Sequence, residues 1–525
     1  MSIPETVVVG KQTKPAEEQL GLAKKWIQDC QRNHSHCGRS PGKLPTRVID
    51  VGVVEKQEPV LVETKPESIA HYMTLSHCWG IKPVIRTTKA TLQSHLTELP
   101  LGKLPNTFRD AIVITRRLGI RYLWIDSLCI IQDDASDWER ESAVMGQIYA
   151  SSYLTIAASA SRDSSGGCFL PRPRAHHARI KCTLENGDVG YVFLRPKTRG
   201  FYDLEACFLQ TRAWVGQERL LSPRSLHFDQ DQILWECKDT RITEDGIPVS
   251  DDTGQRDILA WDGRFKLKYP YKVSGSASLE REFVWDWYSM LENYTARNLT
   301  NPDDKLPALS GIANIMISRI NDRYIAGLWE SHLNIGMLWQ RSSKSPWLKR
   351  PPKWRAPSWS WASLDGTILM PSEQYIESSM NPFTPTLTAI DVEIQPLGLD
   401  PHGRLAFGAV TLTGRLKRIN SRVNPSSAQY APYPESGIGQ DHIWVEGESV
   451  GHVNYDEDFE ENNQELYCLQ MTEVHYPKRI ICHVLVLSYT GKNSDYKRIG
   501  LGTTGGGEVR EGWFADSELK RIRIL

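Results

Sequence analysis

Apolar residues along the first 230 positions recur with two different periods, and the alternation between them outlines a chain of elements. Leu20, Ala23, Trp26, Ile27 and Cys30 fall on one stripe of a 3.6-residue repeat, which predicts a helix over 17–33. GRSPGKLP is a turn-rich connector, and TRVIDVG and PVLVET read as two short strands. HYMTLSHCW is predicted as a strand that closes on small polar residues. LPNTFRDAIVITRRLG sets Phe108, Ala111, Ile112, Thr115 and Leu118 on one helical face, with Gly119 past its end. Tyr122 to Ile131 is an apolar run broken only by Asp126 and Ser127, too short for a membrane span, and predicts a buried strand. A helix capped by Asp137 follows, with Trp138, Met145, Ile148 and Tyr149 on one side, and YLTIAASAS supplies a third strand.

Strand, helix, strand, helix, strand at these lengths implies an α/β unit with strands 72–76, 122–127 and 153–158 parallel and adjacent. Open parallel sheets bind ligands beyond the carboxyl ends of their strands. Those ends carry Ser76, His77 and Cys78, then Asp126 to Asp134, then Ser159 to Asp163.

Further along, ARIKCTL and GYVFLRP read as strands, and TRAWVGQERLLSPRSLHF as a helix from Arg212 to Leu220 with a strand after it. Residues 240–370 are predicted mostly helical and are rich in tryptophan, with KLPALSGIANIMISRI the clearest helix. Trp285, Trp287, Trp359 and Trp361 stand at spacing two, the spacing of a packed strand face. LAFGAVTLTGRL and ICHVLVLSYT announce a β-rich C-terminal part. The glycine run GLGTTGGGE lacks the Lys-Ser/Thr of a phosphate loop and reads as a flexible surface loop. The chain thus divides into an N-terminal helix with short strands (1–70), an α/β domain (71–230), a helical tryptophan-rich region (231–370) and a β-rich region (371–525).

Charge narrows the partners. Lys plus Arg total 62 and Asp plus Glu 63 in 525 residues, a net charge of -1, so the electrostatic footprint of a nucleic-acid binder is missing. There is no leader with a basic and an apolar region, and no apolar stretch of spanning length, so a soluble cytoplasmic protein with no membrane partner is expected. Ten cysteines are scattered and are expected to be reduced. Cys30, His34, His36 and Cys37 crowd into one short segment. Donors so close in sequence rarely all reach one tetrahedral centre, so a local helix–turn with Cys30, His34 and Cys37 along one helical face is expected there and no metal.

The acids raise the chemical question. A carboxylate facing a core must be neutralised, hydrogen-bonded or paired. Asp126 interrupts a buried run and calls for a partner such as Arg212 or Arg219, and Glu141 shares the apolar side of its helix. Two acids converging on one cleft would raise one pKa and form an acid–base pair, whereas separate ion pairs would be structural. Asp126, Glu141 and Cys78 are the candidate catalytic residues. Ser76, His77, Arg212, Glu218 and Arg219 are the candidate ligand-binding residues. His77 and Cys78 are sequence neighbours on a strand and point to opposite faces, so Cys78 would need another histidine, such as His227, or else be a buried inert thiol. No G-x-S-x-G surrounds Ser76, which suits binding rather than attack.

YMTLSHCWG, LPNTFRDAIVITRRLGIRYLWIDSLCIIQDDASDWERESAVMGQIYASSYLTIAA and TRAWVGQERLLSPRSLHF, in that order, resemble the three signature blocks of the fungal heterokaryon-incompatibility (HET) domain. DKLPALSGIA, YIAGLW, APSWSWASLDG and YKRIG resemble segments that follow it. The resemblance implies a parallel-sheet core similar to Toll/interleukin-receptor (TIR) and flavodoxin-like folds. It also implies a role in non-self recognition and programmed cell death, with self-association and with NAD or a related nucleotide as the candidate ligand. Two other readings stand beside it: a HET scaffold recruited as a small-molecule enzyme of secondary metabolism, and a non-catalytic self-associating module.

Overall fold

The computed structural model describes residues 15–38, 40–53, 57–80, 85–172, 178–183, 187, 189–194, 199–246, 277–342, 347–371, 383–419, 441–445, 448–458, 464–476, 479–505 and 513–525. The chain separates into two compact units, Met1–Pro270 and Tyr271–Leu525.

In the first unit, helix α1 (Leu20–Asn33) buries the predicted stripe of Leu20, Ala23, Trp26, Ile27 and Cys30. It stops at Asn33, because His34 takes an extended conformation and Cys37 belongs to a separate 3-10 turn. One helical face therefore does not run from Cys30 to Cys37. Eight strands form one sheet: β1 (Arg47–Asp50), β2 (Val60–Glu63), β3 (Tyr72–Ser76), β4 (Tyr122–Trp124), β5 (Leu154–Ala157), β6 (Arg224–Phe228), β7 (Ile233–Cys237) and β8 (Arg241–Thr243), in the order β8-β7-β6-β5-β3-β4-β1-β2. β3 lies between β4 and β5 and is parallel to both, as the sequence predicts. β6 extends the parallel set, and antiparallel strands flank it on both sides, so the sheet is mixed rather than parallel throughout. Numbered in chain order, the four parallel strands lie 2-1-3-4.

Helices supply the crossovers. α2 (Asn106–Arg117) buries Phe108, Ala111, Ile112 and Thr115. It is followed by Gly119, whose φ of 81° is open to glycine at little steric expense. α3 (Ala135–Ala150) is capped by Asp134, which accepts from the backbone of Ser136 and Asp137, so Asp137 sits in the first turn rather than at the cap. The buried stripe of α3 is Asp137, Glu141, Met145, Ile148 and Tyr149, with Trp138 half-buried. A short helix, α4 (Val215–Leu221), precedes β6 and is buried along its whole length. Arg212 lies before it in extended backbone, not inside it.

The predicted strand from Tyr122 to Ile131 ends at Trp124. Asp126 to Cys129 turns into a single helical turn, fixed by the Cys129 N–H donating to Ile125 O at 2.8 Å and by the Asp126 carboxylate accepting the Ser127 N–H at 2.7 Å. A side chain that bonds its own local backbone offers the chain an alternative to the ladder, and here that alternative wins. The consequence is that Asp126 stands beyond the sheet edge instead of inside it.

The second unit contains α5 (Ala277–Thr295) and α6 (Pro307–Ile320), and the Trp287 ring of α5 lies edge-on to Trp329 at 5.3 Å in an aromatic cluster. Trp285 and Trp287 are helical, while Trp359 and Trp361 lie in a loop and a 3-10 turn, so these four do not form a strand face. Two residues at spacing two are too few to define a period. The Trp287 and Trp361 indoles both donate to Gly327 O at 3.1 Å, and a Cβ on Gly327 would stand 2.6 Å from Trp361 Nε1. The C-terminal part is β-rich as expected, with strands β9 (Phe383–Pro385), β10 (Ala389–Pro396), β11 (Leu405–Ile419), β12 (Asp441–Val445), β13 (Glu448–Tyr455), β14 (Leu466–Tyr476), β15 (Arg479–Tyr489), β16 (Asp495–Thr504) and β17 (Leu519–Ile524) in one sheet. The pairings β11–β14–β15–β16–β17–β11 close a ring. The start of the glycine run, 500–504, is the end of β16, not a loop; Gly500 and Gly502 let β13 approach, since a Cβ on either would meet its backbone oxygens within 2.8 Å. Residues 506–508 of that run lie outside the described residues.

Candidate functional site

At the carboxyl end of β3 the chain gathers polar groups from four segments. The Ser76 hydroxyl donates to Glu218 Oε2 at 2.5 Å, joining β3 to α4. The peptide oxygen of His77 accepts from the Arg212 guanidinium. The Trp79 indole donates to Asp126 Oδ2 at 2.9 Å, and Asp126 Oδ1 lies 3.9 Å from His77 Nδ1. Tyr149 reaches in from α3, its hydroxyl donating to Leu75 O at 3.3 Å. Beneath them a line of hydroxyls, Thr74 to Thr155 at 2.7 Å and Thr155 to Ser222 at 2.5 Å, ends on Glu218 O at 2.6 Å and locks α4 against β3 and β5.

Burial sets the protonation states. Glu218 is 1% exposed, and burial pushes its carboxyl up to about 7, with Asp126 adding to the rise and Arg212, Ser76 and Tyr149 opposing it. His77 is 1% exposed, and burial pushes its imidazole down to about 4. Among the described residues neither His77 ring nitrogen has a hydrogen-bond partner, although the ring stands edge-on to Phe108 at 5.1 Å. An unsatisfied buried imidazole is uncommon and marks the place as more than packing. An acid that titrates near neutrality, beside a guanidinium and a carboxylate, is what general acid–base chemistry requires.

Residues 72–218 match the family described as heterokaryon incompatibility protein (HET). This stretch is a HET domain. No curated protein and no solved structure matches the chain.

The HET domain runs from the first residue of β3 into α4, and it brings together Ser76, His77, Asp126, Arg212 and Glu218. It leaves three expected residues elsewhere. Glu141 is 2% exposed, but it bonds Thr46 and faces Arg47 and Asp137, not Asp126 or the TRAWVGQER segment, and burial raises its pKa. Arg47 holds that corner: it is paired with Asp137, and its Nε donates to Cys129 O at 2.7 Å. Asp126 and Glu141 therefore do not form the acid–base pair that convergence on one cleft would give. The stripe of α3 faces the sheet at two depths, and Glu141 meets β1 where Tyr149 meets β3. Arg219, one residue past the matched stretch, is held by Glu205 at 2.6 Å and Glu236 at 2.8 Å, so Asp126 is faced by Arg212 alone of the two arginines considered.

Cys78 packs in an apolar cluster with Ala157, Phe201, Leu204, Cys207 and Val215, and burial raises its thiol pKa. His227 binds Ser159 at 3.2 Å and Glu236 at 3.3 Å rather than Cys78. Both facts weigh against a nucleophilic thiolate. Sequence reasoning missed Trp79 and Tyr149 as site residues. Tyr149 was visible only as one more apolar position on α3, and nothing local distinguishes its hydroxyl. A recess of about 360 Å³ lined by Asn321, Asp322, Tyr324 and His402 lies in the second unit, where His402 and Asp322 bond Asn314 and Ser331; it gathers no acid–base set.

Proposed function

We propose that this chain acts in HET-type non-self recognition and that its HET domain works on an anionic nucleotide, NAD or a relative, at the carboxyl end of β3. The observation that carries the reading is the Glu218 carboxyl, buried, titrating near pH 7, hydrogen-bonded to Ser76 and faced by Arg212. The 2-1-3-4 order of the parallel strands supports it, because flavodoxin-like sheets share that order and bind ligands at the switch point between strands 1 and 3, here β3 and β5. TIR domains enter by analogy of fold, which by itself carries no activity. In this scheme Arg212 holds a phosphate, His77 supplies ring donors or acceptors to the ligand, and ionised Glu218 accepts the proton of a water that attacks the ribosyl carbon as the C–N bond to nicotinamide breaks. The products are nicotinamide, which leaves with the C–N bond electrons, and ADP-ribose, with the proton from water left on Glu218.

Incubating the full-length protein with NAD and quantifying free nicotinamide by chromatography tests this. Release that disappears in Glu218→Gln supports it; neither binding nor turnover, at low and high protein concentration, removes the enzymatic part.

A second reading rests on the near-complete burial of Ser76, His77 and Glu218. In it the cluster is a structural network in a self-associating signalling module. Folded Glu218→Gln and Asp126→Asn proteins that keep a cell-death phenotype would favour it.

A further inference from the structure

Far along the chain from Cys30, His34 and Cys37, β7 ends on Cys237, and the fold seats this fourth donor among the three. The Sγ atoms of Cys30, Cys37 and Cys237 and one imidazole nitrogen of His34 all lie within 4.8 Å of one another. Cys237 Sγ is 3.4 Å from His34 Nδ1. For tetrahedral zinc with Zn–S of about 2.3 Å and Zn–N of about 2.0–2.1 Å, neighbouring donors stand roughly 3.5–3.8 Å apart. The three cysteines are buried and His34 is half-buried.

We propose that Cys30, His34, Cys37 and Cys237 bind one structural zinc ion that fastens the N-terminal helix to the far end of β7. Thiolate and imidazole are the donors that suit zinc among common divalent ions. Four protein donors fill a tetrahedral shell and leave no open position, so the site is structural rather than catalytic.

The surroundings are those of thiolates. Arg224 Nε donates to Cys30 Sγ at 3.3 Å, and the Thr240 N–H donates to Cys237 Sγ at 3.3 Å. Donors of this kind orient ligands and stabilise their negative charge. Three thiolates and a zinc ion carry one net negative charge, and the Arg224 guanidinium balances it. Asp239 stands at the rim, 3.5 Å from Cys37 Sγ, and its other oxygen is bound by His36 at 2.9 Å. His36, crowded against the donors in sequence, is thus an outer partner and not a ligand. The same two elements meet beside the cluster through Trp26 and Trp235, whose rings are 6.4 Å apart, so the ion would clamp a contact that packing already aligns.

The test is elemental analysis of the full-length protein, purified reduced and without added chelator. About one zinc per chain is expected, retained in His36→Ala and lost in Cys37→Ser and Cys237→Ser. Should the cysteine variants not fold, cobalt(II) exchanged into the intact chain should give the intense visible bands of a tetrahedral thiolate site together with near-ultraviolet sulfur-to-cobalt charge transfer. Three outcomes would overturn the proposal: no zinc in protein prepared with the ion supplied, octahedral cobalt spectra without charge transfer, or a Cys37–Cys237 disulfide in non-reducing mass spectra of the native protein.

Discussion

Ser76 and Glu218, 142 residues apart, share a hydrogen bond of 2.5 Å at the carboxyl edge of the sheet. That contact joins the end of β3 to a buried acid on α4, whose pKa burial raises and the Ser76 hydroxyl partly restrains. It links the stability of the HET domain to pH as well as to its proposed chemistry.

Glu218 titrates near 7 in the folded chain against an ordinary 4.5. Between these values the folded state holds a proton that the unfolded state has lost, so Glu218 makes stability fall as pH rises, by a total on the order of 3 kcal/mol, and the loss is complete above about 7. His77, pushed down to about 4 from 6.5, acts oppositely, adding stability as pH rises from 4 to 6.5. The two slopes nearly cancel between about 4.5 and 6.5. Glu218→Gln removes one of them: its denaturation midpoint should match the wild type near pH 4 and exceed it at pH 8, while activity on the nucleotide disappears. Parallel curves in urea at both pH values would contradict this.

Gly80 follows Trp79 at φ 81°, and a Cβ there would stand 2.3 Å from the Asp163 Cβ. Gly80→Ala should cost about 1–3 kcal/mol for the backbone alone, lower the melting temperature, and weaken the Trp79–Asp126 bond. Differential scanning calorimetry with tryptophan fluorescence reads both effects, and an unchanged melting temperature would refute them.

Asp137 and Glu141 lie in the same buried corner but should answer differently to loss of charge. Asp137→Asn leaves Arg47 buried without its paired carboxylate and should destabilise by about 3–5 kcal/mol. Glu141→Gln keeps a side chain of the same shape whose charged form is already disfavoured, and should cost under about 1 kcal/mol and spare activity. Chemical denaturation of the two variants checks the order, and the reverse ranking would place the structural charge on Glu141.

In the second unit, Lys305 is buried, donates to Leu364 O at 2.5 Å, and is pushed down to about 7 from 10.5 by burial and by Arg355. Between pH 7 and 10.5 the unfolded state keeps a proton that the folded state has released, so this group adds stability as pH rises through that window. Lys305→Met should flatten the rise. Thermal scans from pH 7 to 10 that show equal slopes for both proteins would exclude it.

Local patterning fixed much of the first unit. The stripes of α1 and α2, the strand at 72–76 and its two parallel neighbours follow from which positions are apolar, because burial on one face repeats every 3.6 or every 2 residues whatever the rest of the chain does. The family blocks, too, are contiguous runs of sequence. Where the pattern was short or the residue polar, tertiary structure decided. The run after Trp124 could continue as a strand or turn, and the bond from Asp126 to its own neighbour selected the turn. The stripe of α3 showed that Glu141 is buried but not at which depth, and the fold sets it against Arg47 on β1 rather than against Asp126. Glu218 acquired its raised pKa from burial under the folded chain and from Asp126, and Cys30, His34 and Cys37 acquired Cys237. Those meetings are set by strand order and crossover, which place residues more than a hundred positions apart side by side. A period within one segment reports which side of an element is buried, but it carries no information about which distant segment will cover it.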